Sequence, residues 1–461
     1  MTHPAFANTR FFPFWLDSPA APAVEPELRG ERRAGVVVIG GGFTGLWAAI
    51  QAKEADPRQE VVLIEAGKVA HGASGRPCGI ISTSIMHGLA NAARVFPKDI
   101  DQLEELGRLN LDGFQRDLER FGIDADVEWN GELTAAIEPG HVDVLREDYE
   151  LHLEHGHDML LLDAGEARAQ IDSPLFHGAL WGRQRSGTIH PAKLAWGLKA
   201  AALKVGVKLY ENSPLERIVE EGQDLVLHTP VGVVRTARAF FATGCAKVGI
   251  GDINRRVMNV QDHIMATEPL TAEQLARVGW QNRQGFYDTR TQLNYGRLTK
   301  DNRIIFGGSV TYHYGEHTDP DENRRPETYA GLVDAFFKTF PQLHDVKFSH
   351  AWGGPIDYCS RGSVFVTRYF GGKAVFVAGY TGFGVAASRF GATMGLNTLF
   401  GRKDAPEQKL DIARKGTAWI PPGILRWLGA KITFIAFDGA DAEGGWKRAW
   451  IKSVKALGFP M

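Results

Sequence analysis

Val36-Val37-Val38-Ile39 runs straight into Gly40-Gly41-Gly42-Phe43-Thr44-Gly45, and this junction constrains the fold more than any other stretch. A four-residue run without a polar position is a strand buried on both faces, the kind that parallel sheets require. Leu46 to Glu54 continues with helix formers, and a second apolar run, Val61-Val62-Leu63-Ile64, ends at Glu65, 20 positions after Gly45. Strand, glycine turn, helix and strand make a dinucleotide-binding βαβ unit. Gly40 permits the tight turn, Gly42 lets the backbone approach a pyrophosphate, and Gly45 lets helix and strand pack closely. The pyrophosphate sits on unpaired N–H groups at the helix N-terminus, which makes Phe43 and Thr44 expected contacts. Glu65, followed by Ala66, is placed to accept hydrogen bonds from the adenosine ribose. These residues alone do not separate NAD from FAD.

Further along, Leu103, Leu106, Leu111, Phe114, Leu118 and Phe121 recur at helical spacing. Pro191 to Val205 reads as a helix, and Ala239 to Gly244 as a buried strand ending in glycine. Val260 to Gly308 holds short β runs, and Ala374 to Ala378 leads through a second glycine-rich turn into the helical stretch Val385 to Leu399. Strand–helix alternation at both ends with β structure between predicts an α/β domain interrupted by an α+β substrate domain. The expected division is an N-terminal arm over 1–34 and a cofactor domain over 35–125, 175–258 and 350–403. A substrate domain takes 126–174 and 259–349, and a helical extension takes 404–461. Within the arm, Ser18 to Arg33 is rich in Pro, Ala and charge and reads as a linker or surface segment.

A formal net charge of -2 over 461 residues gives no footprint for nucleic acid. Three widely spaced cysteines, Cys78, Cys245 and Cys359, form neither a disulfide framework nor a metal knuckle, so a reducing, cytoplasmic setting is expected. No signal peptide is read at the start, and no stretch approaches about 18 uninterrupted apolar residues, so no integral membrane segment is expected.

Later segments decide the cofactor by resemblance. His71-Gly72-Ala73-Ser74-Gly75-Arg76 resembles the G-A-S-G-R segment of D-amino-acid-oxidase-like FAD-dependent oxidoreductases, where it helps hold the FAD pyrophosphate and the flavin. Thr188 to Leu194 looks like that family's helix entry, Ala242-Thr243-Gly244 its second adenine-side strand, and Ala266 to Leu270 its T-E-P-L strand. Asp301 to Gly308, Trp352-Gly353-Gly354 and Gly379-Tyr380-Thr381-Gly382-Phe383-Gly384 continue the match in order. The resemblance spans about Gly35 to Gly401 and is nearest the branch of gamma-glutamylputrescine oxidoreductase and bacterial amine oxidases. It implies a glutathione-reductase-like FAD-binding Rossmann domain with a β-rich substrate domain. It also implies FAD contacts at Gly72, Ala73, Ser74, Arg76, Gly244, Gly379, Thr381, Gly382, Phe383 and Gly384. The family's frequent N-G-G after the Arg is Pro77-Cys78-Gly79 here.

The reaction implied is hydride transfer from the carbon beside an amine nitrogen to flavin N5. The imine then hydrolyses, and O2 or another acceptor takes the electrons. On the substrate side the candidate catalytic residues are Tyr295 to orient the amine, His263 to adjust its protonation, and Arg297 to bind an anionic group. Each has an ordinary alternative: a packed Tyr, a satisfied His, an Arg in an ion pair. Some relatives clamp a substrate carboxylate with an Arg shortly after W-x-G; here none occurs before Arg361, which favours an amine. Asp357 is either a contact for a cationic substrate or a turn cap. The lysine of sarcosine oxidases falls near Ile305, leaving oxidase and dehydrogenase open. Cys359 lies near, not at, the position of covalent flavin attachment, so noncovalent FAD is expected.

His152, His155 and His157 invite a metal reading, but spacing alone is cheap and no metal is expected. Ile424, Leu428, Ile432 and Ile435 make an apolar helical stripe with Arg426, Lys431, Lys447, Arg448, Lys452 and Lys455 nearby. Such a segment either packs on the enzyme body or lies on a membrane surface. Two other functions share the N-terminal fingerprint, a flavin monooxygenase and a non-enzymatic FAD-binding scaffold.

Overall fold

The computed structural model describes residues 3–246, 248–250, 252–313, 324–440 and 445–456. The two apolar runs are the strands Val36–Ile39 and Val61–Ile64, every residue buried and the pair parallel. They lie in a six-stranded sheet ordered Phe365–Tyr369, Ala374–Ala378, Ala239–Phe241, Val36–Ile39, Val61–Ile64, Lys208–Tyr210. Only the edge pair Phe365–Tyr369 with Ala374–Ala378 is antiparallel. Such a sheet must be covered on both faces. Val36, Val38, Val61 and Leu63 point into a core with helices Phe43–Ala55, Pro191–Lys204 and Gly384–Leu399. Val37, Ile39, Val62 and Ile64 point the other way, onto Leu225, Leu227 and Val234 of a small four-stranded sheet. Phe43–Ala55 is therefore enclosed, with Leu46 to Ile50 all buried, and lacks a polar face.

An eight-stranded sheet follows the order Phe348–Tyr358, Met258–Thr267, Ile304–Thr311, Tyr295–Leu298, Gly285–Asp288, Glu132–Ala136, Gly178–Gly182, Met159–Asp163. Its only parallel pairing joins Gly285–Asp288 to Glu132–Ala136. One face contributes Ile264, Ile305 and Trp352 to the core shared with the six-stranded unit. The other covers an aromatic cluster with Phe286, Phe306 and Phe348 under helix Ala330–Thr339. Gly178–Gly182, inside the 175–258 segment expected on the cofactor side, belongs to this second sheet.

The stretch read as linker carries a strand: Gly30–Ala34 pairs in parallel with Gly232–Thr236. Four of its five residues are exposed, and Arg33–Asp224 and Arg235–Glu31 ion pairs decorate it. A charged edge strand resembles a linker in composition. Upstream, Trp15 is buried, and its indole N–H donates to Pro77 O at 2.9 Å. Among the described residues no helix is long and apolar enough to cross a membrane.

Candidate active site

The expected cofactor residues converge on one end of the six-stranded sheet, because four parallel strands end there. Val36–Ile39 runs into Gly40, Val61–Ile64 into Glu65, Ala239–Phe241 into Gly244's turn, and Ala374–Ala378 into Gly379. In open α/β sheets ligands bind at this carboxyl end. The glycines are needed there. A Cβ on Gly40 would stand 2.6 Å from Ala242 O, and one on Gly45 1.9 Å from Gly40 O. A Cβ on Gly42 would stand 2.9 Å from Ser74 Oγ. Ser74, in the short helix Ala73–Gly75, accepts from Phe43 N at 2.9 Å, where the long helix exposes its first N–H groups. The Glu65 carboxylate accepts from Gly41 N at 2.6 Å and Gly67 N at 2.8 Å. Burial raises its pKa, against these N–H groups that lower it. Ala66, Gly72 and Ala73 are exposed. Arg76 donates to Gly353 O at 2.8 Å, and Trp352 Nε1 to Arg76 O at 2.9 Å, docking this segment on the second sheet.

The second glycine turn is held from beneath. Asp357, at the end of Phe348–Tyr358, accepts from Gly379 N at 2.7 Å. Burial pushes its carboxyl up to about 6, opposed by the N–H groups of Gly379, Tyr380 and Thr381. Of the two readings for Asp357, the structure shows the cap. Thr381 has φ 52, a left-handed conformation uncommon for a β-branched residue. Its hydroxyl bonds Cys359 N and Gly379 O, both at 3.3 Å, which fixes it. Gly382, with φ 93, and Phe383 precede the helix starting at Gly384. Tyr380 Oη lies 2.7 Å from Thr44 Oγ1, tying the two glycine turns together.

Opposite this turn stands the second sheet. A small cavity is lined by Ile80, Ser82, Ser84, Tyr287, Gly382 and Phe383. Tyr287 stacks on Phe383 with centroids 6.2 Å apart. Beside Tyr287, the Tyr295 hydroxyl donates to the buried carboxylate of Asp262. Strand Ile304–Thr311 lies between these two strands, and Gly307 makes the contact possible. A Cβ there would sit 2.3 Å from Tyr295 Cζ, so the missing side chain lets the ring lie across. Burial pushes Asp262 up to about 7, opposed by the Tyr295 hydroxyl and the His263 N–H. Asp262 carries no local sequence signal. His87 was also missed: its ring meets Phe383 edge-on at 4.3 Å, its Nδ1 has no hydrogen-bond partner among the described residues, and burial pushes it down to about 4.

None of the three expected substrate residues lines this cavity: Tyr295 lies behind Tyr287, with ring centroids 6.3 Å apart, and the other two lie elsewhere. His263 follows Asp262 in one strand and so faces away. Its Nδ1 lies 2.8 Å from Ser309 O and its ring packs edge-on against Tyr329 in the aromatic core. His263→Ala should therefore leave flavin reduction unchanged across pH in stopped-flow measurements. Arg297 is 1% exposed and donates to Ile189 O at 2.6 Å, Leu298 O at 3.0 Å and Gly79 O at 3.3 Å. Burial pushes it down to about 10. It clamps three backbone segments, and the expected anion contact is corrected accordingly. Arg297→Met should cost about 1–3 kcal/mol for each carbonyl left unpaired, read as a lower Tm with unchanged KM.

Residues 35–394 match the family described as FAD dependent oxidoreductase. The chain belongs to this family. Among its relatives, gamma-glutamylputrescine oxidoreductase of Escherichia coli is 32% identical over 332 residues, covering 69% of this chain and 72% of that protein. A probable oxidoreductase OrdL of Haemophilus influenzae is 29% identical over 384 residues, covering 81% and 84%. In fold, glycine oxidase from Geobacillus kaustophilus superposes with a TM-score of 0.66 at 19% identity, covering 84% of this chain and 99% of that one. The glycine cradle and the start of helix Phe43–Ala55 fit the FAD on which this family depends.

Other family features fall elsewhere. Arg361 donates to Ser363 O at 3.2 Å and Ile412 O at 2.7 Å, so it ties down the C-terminal segment and is no carboxylate clamp. His157 bonds Glu104 at 2.6 Å and His152 at 2.9 Å, and His155 bonds Asp101 at 3.0 Å. These contacts join the 152–157 turn to helix Ile100–Phe121. Among the described residues no His, Cys, Asp and Glu group is arranged to hold a metal.

Proposed function

We propose that this FAD-dependent oxidoreductase oxidises an amine or amino-acid-like compound at the carbon beside nitrogen. The observation that carries this reading is the Tyr295–Asp262 pair, a buried carboxylate with no Lys or Arg partner among the described residues, next to Tyr287, which stacks on Phe383. A cationic ammonium is the ligand that such a carboxylate favours. Relatives named for gamma-glutamylputrescine and glycine carry compounds of this class in their names. Noncovalent FAD, when bound, supplies the hydride acceptor at flavin N5 and passes the electrons to O2 or another acceptor.

The protein positions and protonates. Gly40, Gly42, Phe43, Thr44, Gly45, Ser74 and Arg76 hold the pyrophosphate side, Glu65 the ribose, and Gly379 to Gly384 the flavin side. Asp262 takes a proton from the substrate ammonium, leaving a neutral amine ready to lose hydride from its α-carbon. Tyr295 keeps its own proton, because burial and Asp262 raise its pKa well above the usual value, and so orients the carboxylate as a donor. Tyr287 and Phe383 exclude water until the imine leaves and hydrolyses. The domain division read from the sequence enters this reading with three changes: Gly178–Gly182 and Phe348–Tyr358 go with the eight-stranded substrate sheet, and Gly30–Ala34 with the cofactor side.

Anaerobic titration of the yellow protein with polyamines, N-methyl amines and amino acids tests it. Bleaching near about 450 nm by the amines is expected, and readmitted air then separates oxidase from dehydrogenase. FAD that no compound of these classes bleaches would favour the scaffold. Glu65→Ala should lower retained flavin on gel filtration without unfolding the chain; full retention would remove Glu65 from the cofactor site.

A further inference from the structure

Beyond the segment that matches the family, the chain folds into a helical hairpin, Gly423–Ala440 and Gly445–Ala456. The segment leading into it is fastened to the enzyme body: Ile420 N donates to Arg255 O at 2.7 Å and Ala418 N to Ser360 Oγ at 2.8 Å. Its inner face closes on itself, with Ala436 and Ile451 buried against Phe437 and Trp450. Its outer face is different. Ile424, Leu428 and Ile435 share one helical stripe and are 59%, 43% and 53% exposed. Trp419, just ahead of the first helix, and Trp446, on the second, are 56% and 57% exposed. Of 15 exposed large apolar side chains among the described residues, six fall between 419 and 446. Scattered exposed apolar residues are normal, but a cluster marks an interaction surface.

Charge indicates what covers it. Residues 423–456 carry six Lys or Arg against three Asp or Glu, in a chain whose formal net charge is -2. Arg448, Lys452 and Lys455 are exposed on the second helix. A second copy docking face to face would set this basic hairpin against itself. An anionic bilayer meets all three features: basic side chains against phosphates, tryptophans at the headgroup level, and aliphatic residues at the acyl boundary. We propose that the helices Gly423–Ala440 and Gly445–Ala456 lie in the plane of an anionic lipid surface, with Ile424, Leu428 and Ile435 facing the acyl chains. The enzyme is then a peripheral membrane protein whose catalytic body remains in water.

Flotation of the flavin-loaded enzyme with unilamellar vesicles tests this. Binding is expected with phosphatidylcholine–phosphatidylglycerol vesicles, weakening as NaCl rises, and not with phosphatidylcholine alone. Arg448→Glu/Lys452→Glu should lower the partition coefficient by roughly thirtyfold or more, since each lost basic charge near the surface is worth about fivefold. Leu428→Ser/Ile435→Ser should abolish flotation, and both variants should keep wild-type flavin content and melting temperature. Absence of flotation with either lipid would overturn the proposal, as would equal flotation of wild type and variants. Concentration-dependent dimerisation in sedimentation velocity, lost in Leu428→Ser/Ile435→Ser, would overturn it in favour of a second copy.

Discussion

Gly45→Val should give a colourless protein, retaining less than about a tenth of the wild-type flavin after gel filtration. The reason is geometric. A Cβ at this position would stand 1.9 Å from the carbonyl oxygen of Gly40, a backbone atom that no rotamer change can move. Either the helix Phe43–Ala55 lifts off the strand Val36–Ile39 or the turn at Gly40 opens. Both misplace the N–H groups at the helix start. Overpacking of this kind costs about 1–3 kcal/mol in stability. Failure to bind FAD removes the further stabilisation that a ligand bound only to the folded state confers. Gly140→Ala is the control, since a Cβ there meets nothing within 4 Å, and it should keep full flavin. The 450 nm absorbance per chain, before and after reconstitution with FAD, reads the result; a fully yellow Gly45→Val protein would remove the glycine cradle from the cofactor site.

The cofactor half was legible in the sequence because its signals are local. Val36–Ile39, Gly40, Gly42, Gly45 and Glu65 lie within 30 positions, and the backbone geometry each glycine allows is a property of that residue. The substrate half is not local. Asp262 and Tyr295 are 33 positions apart, and only the strand order and the bare backbone of Gly307 bring them together. Parity decided the rest: in a strand, neighbours face opposite ways, so His263 turns to the aromatic core while Asp262 turns to Tyr295. Arg297 misled for another reason. A sequence shows a positive charge but not its burial, and here the guanidinium is taken up by carbonyls. Gly30–Ala34 misled because an edge strand is allowed the composition of a linker.

Asp262→Asn should lower kcat/KM for an amine substrate by about 10²–10⁴-fold, the usual range for loss of a positioned acid–base group. The pH profile carries the sharper expectation. Burial pushes the wild-type carboxyl from its ordinary 3.8 up to about 7. If its ionised form accepts the ammonium proton, wild-type kcat/KM climbs with pH until about 7 and then levels, and the Asn variant lacks that limb. Glu132→Gln is the necessary companion, because burial pushes that carboxyl up to about 7 as well, and it should keep the limb. Stability gives an independent sign. A carboxyl whose folded pKa is raised binds its proton more tightly in the folded state, so its contribution is complete below about 3.8 and is lost as pH rises towards about 7. The Asn variant escapes this loss. Its melting temperature should therefore gain on wild type between about pH 4 and pH 7 and hold a constant lead above. A melting gap that opens with pH while the kinetic limb survives would make Asp262 a buried structural acid, and the proton would have to leave the substrate by another group.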